Sequence, residues 1–263
     1  MINARCRNCV MRASSALPRN QHGVSSDDFG GTHRADSHRM ILYLMPGACS
    51  LATHIALSWA DADYTVKRLS RDTVRGRAFR EINPKAVVPA LQLDDGTVLT
   101  ESLAILEYLA ERYPKARMGV QPDDLIGRAR LAEALAELVS DVHMAWSPIM
   151  VPERYVTVED NQADAKRAAF AQLHIHYNRL DELMRDRTWR LFDRRTVVDA
   201  YLYVMCSWQD RTPTPLTAYP ALNKYKLRLD LDMGIQRVLR EERGTELMDQ
   251  LELPAGTVAA ASR

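Results

Sequence analysis

Four cysteines (Cys6, Cys9, Cys49 and Cys206) and seven histidines are the residues of this 263-residue chain best suited to nucleophilic, redox or metal chemistry. Cys49 has the most informative setting. It follows the breaker pair Pro46-Gly47 and precedes Ser50, from which an apolar helical pattern runs through Leu51, Ala52, Ile55, Ala56, Leu57, Trp59 and Ala60. A sulfur there sits at or just before a helix N-terminus, where unpaired N–H groups and the positive end of the helix dipole favour a thiolate or a bound sulfur anion. The plainer alternative is a small buried hydrophobe, which is what most free cysteines are. Residue 52 is alanine, so no Cys-x-x-Cys dithiol cycle can run from this position. Cys6-x2-Cys9 is half of a zinc pattern with no second pair at a familiar spacing, so no metal is expected.

A second group of polar residues opens another helix. Thr100-Glu101-Ser102 precedes Leu103-Ala104-Ile105-Leu106-Glu107-Tyr108-Leu109, whose apolar positions recur at helical spacing. The Ser102 hydroxyl and the free N–H groups can cap the helix or bind a ligand carboxylate, and Glu101 beside them can accept an ammonium group. An acid followed by a hydroxyl residue at a helix start suits the zwitterionic head of an amino acid. Val88-Pro89 stands before the apolar run Ala90-Leu91-Gln92-Leu93, and an X-Pro bond is the one place where a cis peptide costs little. Further along, His143 lies in Ser140-Asp141-Val142-His143-Met144-Ala145-Trp146-Ser147-Pro148. His54, His174 and His176 read as structural or surface residues.

The elements that must hold these groups follow from the same patterns. Ile41–Leu44 and Tyr64–Val66 predict strands, and Val74–Arg80 a short helix or loop. Asp94-Asp95-Gly96 turns the run after Pro89 back into Thr97-Val98-Leu99 as a hairpin. Residues 117–124, with Gly119 and Pro122, read as a linker. Two helical stripes follow: Leu131, Leu135, Leu138 and Val142, then Phe170, Leu173, Tyr177, Leu180 and Met184. Thr196-Val197-Val198-Asp199 has the form of a capping box that launches Ala200 to Trp208. Residues 1–39 lack apolar periodicity and are expected to be a poorly ordered extension ahead of a working start at Met40.

Composition narrows the classes. A net charge of +1, from 35 Lys and Arg against 34 Asp and Glu, argues against a broad nucleic-acid or anionic-membrane surface. No run of about 18 apolar residues occurs to cross a bilayer. Four scattered cysteines fit a reducing, cytoplasmic setting better than a secreted disulfide framework.

Taken in order, Pro46-Gly47-Ala48-Cys49-Ser50-Leu51, Ile82-Asn83-Pro84-Lys85, Val88-Pro89 and Thr100-Glu101-Ser102-Leu103-Ala104-Ile105 resemble the motifs of bacterial beta-class glutathione transferases. The resemblance implies a thioredoxin-like α/β domain over 40–118 that binds glutathione and an all-helical bundle domain over 124–263 that contributes the electrophile site. It implies that Cys49 approaches the glutathione sulfur, with His143 hydrogen-bonding near it, as the catalytic pair. It implies a binding set of Ser50, Val88 through its backbone, a cis Pro89, Glu101 and Ser102 at the γ-glutamyl end, and Trp208 closing the pocket. Arg71, Arg75 and Arg77 are candidates for the glycyl carboxylate, and Trp146, Ile149 and Tyr155 for the electrophile pocket. The expected activity is conjugation of glutathione to small hydrophobic electrophiles, a detoxifying reaction needing no metal, by a cytoplasmic homodimer. Two alternatives remain open. One is glutathione-dependent thiol-disulfide exchange through Cys49. The other is a non-catalytic binding protein, motivated by Met144 and Ala136 where the family has polar residues. Arg195 stands where the family has an apolar residue beside the capping box, which predicts a slightly looser helix start.

Overall fold

A computed structural model describes residues 39–243 of the chain. The Cys6-Cys9 pair and residues 1–38 of the expected extension lie outside the described residues. Arg39 is described, and its guanidinium pairs with Asp63 at 2.5 Å.

The first part is a four-stranded sheet with helices. Strands β1 (Met40–Leu44), β2 (Tyr64–Arg68), β3 (Ala90–Gln92) and β4 (Val98–Thr100) lie in the order β2-β1-β3-β4. β1 runs parallel to β2 and antiparallel to β3, and β3 runs antiparallel to β4. A parallel pair needs a crossover, and helix α1 (Leu51–Trp59) supplies it. All nine residues of α1 are buried, the polar Thr53, His54 and Ser58 among them. Two short helices, α2 (Arg71–Arg75) and α3 (Arg77–Ile82), fill the expected helix-or-loop stretch and bury Val74 and Phe79 against Tyr43 and Ala90. Helix α4 (Ser102–Arg112) closes this part, burying Ile105, Leu106 and Leu109.

The rest is helical. After a stretch containing Met118 come α5 (Leu125–Ala136), α6 (Met144–Met150), α7 (Gln162–Met184), α8 (Val197–Trp208), α9 (Pro220–Leu229) and α10 (Met233–Arg243). The described chain is thus a thioredoxin-like α/β part followed by a helical bundle, as the resemblance implies. The stripe of Leu131, Leu135, Leu138 and Val142 is buried throughout. Between α5 and α6, however, Glu137–His143 winds as a π-helix rather than continuing an α-helix. The wider turn changes the direction of side chains at its end, where His143 lies, a placement common at functional sites. The second stripe begins with Ala169 rather than Phe170, which is only half-buried.

The start of α8 behaves as a buried capping box. The Asp199 carboxylate accepts the Thr196 N–H at 2.7 Å and the Thr196 hydroxyl at 3.0 Å. It also accepts the Arg190 N–H and the Tyr225 hydroxyl, each at 2.9 Å. Arg195, expected to leave this start slightly looser, makes its own contacts elsewhere. Its guanidinium stacks over the Trp59 ring at 4.4 Å and pairs with Asp232 at 2.9 Å, while Asp232 also accepts the Trp59 indole N–H at 2.8 Å. The side chain ties α1 to the turn before α10 instead of stapling its own helix.

Candidate active site

Cys49 leads into α1 at the tip of a loop that leaves β1. Gly47 in this loop has φ +71°, a left-handed conformation that glycine adopts without strain. The Cys49 thiol donates to the Val88 carbonyl at 3.4 Å, and the Val88–Pro89 peptide is cis. Cys49 as a residue keeps partial exposure, yet desolvation of its sulfur pushes the thiol up to about 11, outweighing the Ser102 hydroxyl and the backbone N–H groups of Cys49 and Ser50, which act to lower it. Of the two expectations for this helix start, a thiolate or a bound sulfur anion, the shift favours the second. The N–H groups are present as expected, but desolvation is larger than their effect, so the sulfur is a neutral S–H donor.

Further groups lie in series beyond this sulfur. Ser102 is buried, and its hydroxyl acts to lower the pKa of both the Cys49 thiol and the Tyr201 phenol. It is the first residue of α4 and makes no cap; Glu101 holds the N-cap position with φ +71° and no side-chain cap bond. The Tyr201 hydroxyl lies 2.6 Å from Nδ1 of His143. Burial holds the His143 imidazole down to about 4, and it raises the Tyr201 phenol well above its ordinary value. At neutral pH the sulfur, both hydroxyls and the imidazole are therefore all uncharged. The His143 ring meets the Trp208 ring edge-on at 5.1 Å, and the Trp208 indole N–H donates to the Gly47 carbonyl at 3.0 Å.

The outer groups are charged. Glu101 is exposed and accepts from the Lys85 ammonium at 2.5 Å, beside the open N-terminus of α4. Ser50 is fully buried, and its hydroxyl bonds only to Met45, accepting its N–H at 3.2 Å and donating to its carbonyl at 3.3 Å. The hydroxyl thus supports the loop that leads into α1. Trp146 is likewise wholly buried, stacked edge-on to Trp208 at 5.7 Å, so it belongs to the core rather than to an electrophile pocket.

Residues 47–112 match the family model for the glutathione S-transferase N-terminal domain. The chain is 35% identical over 172 residues to glutathione S-transferase GstA of Escherichia coli O157:H7, covering 64% of this chain and 82% of that one. This chain belongs to the glutathione S-transferase family. A sphingomonad glutathione S-transferase solved in complex with glutathione superposes with a TM-score of 0.71 at 34% identity, over 77% of this chain and 98% of that one. A maleylacetoacetate isomerase of Pseudomonas aeruginosa is 28% identical over 179 residues, 66% of this chain and 83% of that one.

As a glutathione S-transferase the chain is an enzyme, a transferase. Its fold sets Cys49 against the Val88 carbonyl, Ser102 beside both Cys49 and Tyr201, His143 against Tyr201, and Glu101 at the N-terminus of α4. Arg71, Arg75 and Arg77 are exposed, and Arg77 pairs with Glu81 at 3.2 Å. Sequence reasoning missed Tyr201. Its signal was present: Tyr201 and Trp208 are seven residues apart, two turns on one face of α8. Gly47 was read only as a breaker, and Glu242, which accepts its N–H at 3.1 Å, was not singled out. Nothing local to either residue announces a contact spanning 195 positions. No helix among the described residues is long and apolar enough to cross a membrane.

Proposed function

We propose that this transferase joins the thiolate of glutathione to small hydrophobic electrophiles, with Cys49 and His143 at the sulfur. In this reading Glu101 and Ser102 receive the γ-glutamyl end, exchanging part of the Lys85 contact for the ligand's ammonium group. The backbone of Val88, held by the cis Pro89, pairs with the cysteinyl unit, and Trp208 walls the site from the helical side. Residues 40–118 form the glutathione-binding domain, and 124–263 supply the electrophile site. Ile149 and Tyr155 remain candidate lining residues there. The working enzyme in this reading is a cytoplasmic homodimer with a detoxifying role.

The observation that supports the reading is the series of uncharged polar groups, Cys49, Ser102, Tyr201 and His143, that runs from the head of α1 to the end of the π-helix. Neutral donors fixed in advance stabilise a sulfur anion without bringing a competing negative charge. A Cys49 thiol at about 11 is ionised to roughly one part in ten thousand at pH 7. That favours Cys49 as a donor that steadies the thiolate of glutathione over Cys49 as the attacking sulfur. Thiol-disulfide exchange, which needs Cys49 as a covalent partner, is the weaker second reading.

The test is a glutathione-dependent conjugation assay on wild type and Cys49→Ala, with intact-mass analysis for a bound glutathione. Conjugation reduced but retained in Cys49→Ala, with no adduct on the wild type, supports the reading. A wild type that turns over only disulfide substrates, with a mixed disulfide on Cys49, refutes it.

A further inference from the structure

Gly47, two residues before Cys49, has both of its backbone polar groups held by side chains from the helical half. Its carbonyl accepts from Trp208 at 3.0 Å and from the Arg211 guanidinium at 3.3 Å. Its N–H donates to Oε2 of Glu242, on the last turn of α10, at 3.1 Å. A buried carboxylate is costly unless its lone pairs are used. Glu242, 6% exposed, uses them on two targets: Oε2 on Gly47, and Oε1 against Nδ1 of His54 at 3.2 Å.

His54 lies in α1, the helix that Cys49 leads into, and is wholly buried. Its other nitrogen faces Oε2 of Glu241 at 3.0 Å. A neutral imidazole donates from only one nitrogen, so bonding at both requires one proton more than a neutral histidine and two carboxylates supply. The remaining neighbours seal this cluster. The Tyr64 ring meets His54 edge-on at 5.7 Å, Arg68 donates to the Glu241 carbonyl at 2.5 Å, and Arg237 donates to the Ser58 hydroxyl at 3.0 Å. Among the described residues no group of three His, Cys, Asp or Glu is arranged to hold a metal ion.

We propose that Glu242 is a positioning residue for the transferase reaction. Its carboxylate, oriented by His54, fixes the Gly47 peptide and so aims the loop carrying Cys49 at the incoming sulfur. The inference rests on the glutathione reading above and adds to it a residue that touches no substrate. The competing account is that Glu242 only helps to dock α10.

The experiment compares the full-length wild type with Glu242→Ala, Glu242→Gln and Ile235→Ala. Ile235 is a wholly buried residue of α10, and its truncation destabilises the helix without touching Gly47. Three quantities are read at a temperature where each variant is folded: the KM for glutathione with 1-chloro-2,4-dinitrobenzene as electrophile, kcat, and amide deuterium exchange of residues 45–51. Glu242→Ala is expected to raise KM at least fivefold with kcat within twofold, and to speed exchange in 45–51 at least tenfold while β1 and β3 stay protected. Ile235→Ala is expected to lower Tm but leave KM and the 45–51 exchange at wild-type values. Glu242→Gln, which keeps a weaker acceptor, is expected to fall between wild type and alanine. A lowered Tm with unchanged KM and unchanged local exchange in Glu242→Ala overturns the proposal. If Glu242→Ala does not fold, Glu242→Gln decides by itself: at least threefold faster exchange in 45–51 supports the proposal, and wild-type exchange overturns it. A wild type without glutathione turnover defeats the functional reading, and the exchange measurements still judge whether Glu242 holds the loop.

Discussion

Cys49 should resist alkylation at neutral pH far more than an ordinary surface cysteine, and the size of the effect follows from its surroundings. With an ordinary thiol near pKa 8.5, about 3% is thiolate at pH 7. With Cys49 pushed up to about 11, the fraction falls to about 0.01%, a loss of roughly 300-fold. A more basic thiolate is intrinsically more nucleophilic, with a Brønsted slope of about 0.4–0.5, which returns roughly tenfold over the same interval. The net expectation is alkylation about thirtyfold slower than a model thiol at pH 7. The assay is pseudo-first-order reaction with iodoacetamide from pH 6 to 10, followed by peptide mass spectrometry so that each cysteine is scored separately. The Cys49 rate should climb close to tenfold per pH unit across the whole range. Cys206, wholly buried and raised to about 12, should lag behind it at every pH. Ser102→Ala removes a hydrogen bond that lowers the Cys49 pKa and should slow the reaction further. A plateau in the Cys49 rate at or below pH 8 would show that the thiolate forms readily and would refute the account of an uncharged donor set.

Four other outcomes are expected. Tyr201→Phe removes the 2.6 Å contact to His143 and, at about 1.4 kcal/mol for such a bond, should lower kcat/KM for conjugation about tenfold, measured by steady-state kinetics. His143, held down to about 4, stays neutral in the folded state while the unfolded chain takes up a proton below about 6.5. Its contribution to stability is therefore complete above that pH and is lost as pH falls toward 4, so Tm of the wild type should drop more steeply over this window than Tm of His143→Phe. Asp199→Ala strands the buried Arg190 and Thr196 N–H donors, costs about 3 kcal/mol, and should lower Tm by about 10 °C in calorimetry. Arg195→Ala loses the stack on Trp59 and the Asp232 pair, and should cost about 1 kcal/mol in urea denaturation.

Features governed by short stretches of chain were legible in the sequence. The run at Ile41–Leu44, the hairpin around Asp94-Asp95-Gly96 and the start of α8 at Thr196 each depend on residues a few positions apart, and each formed where its pattern placed it. Features set by distant packing were not. The helix start beside Cys49 was readable, but the desolvation that overrules its dipole is set by packing against the core and leaves no local mark. Arg195 looked like a defect in a staple because Trp59 and Asp232, the groups it serves, are 136 and 37 positions away. Trp146 carried the same helical spacing whether it faced a pocket or the core, and only packing against Trp208 decides between them. The π-turn before His143 escaped notice because Leu138 and Val142 keep α-helical spacing across it.

The two ends of the described chain meet at Gly47, and this bears on how the protein is made. A chain emerging from the ribosome completes its sheet and Cys49 long before Trp208 or Glu242 exists. Until then the Gly47 peptide lacks the partners that its N–H and carbonyl have in the finished fold. Newly made enzyme should therefore acquire its glutathione site last, when α10 docks. A chimaera that joins this sheet to the helical half of a relative lacking acceptor and donor at those two positions should fold and yet bind glutathione poorly.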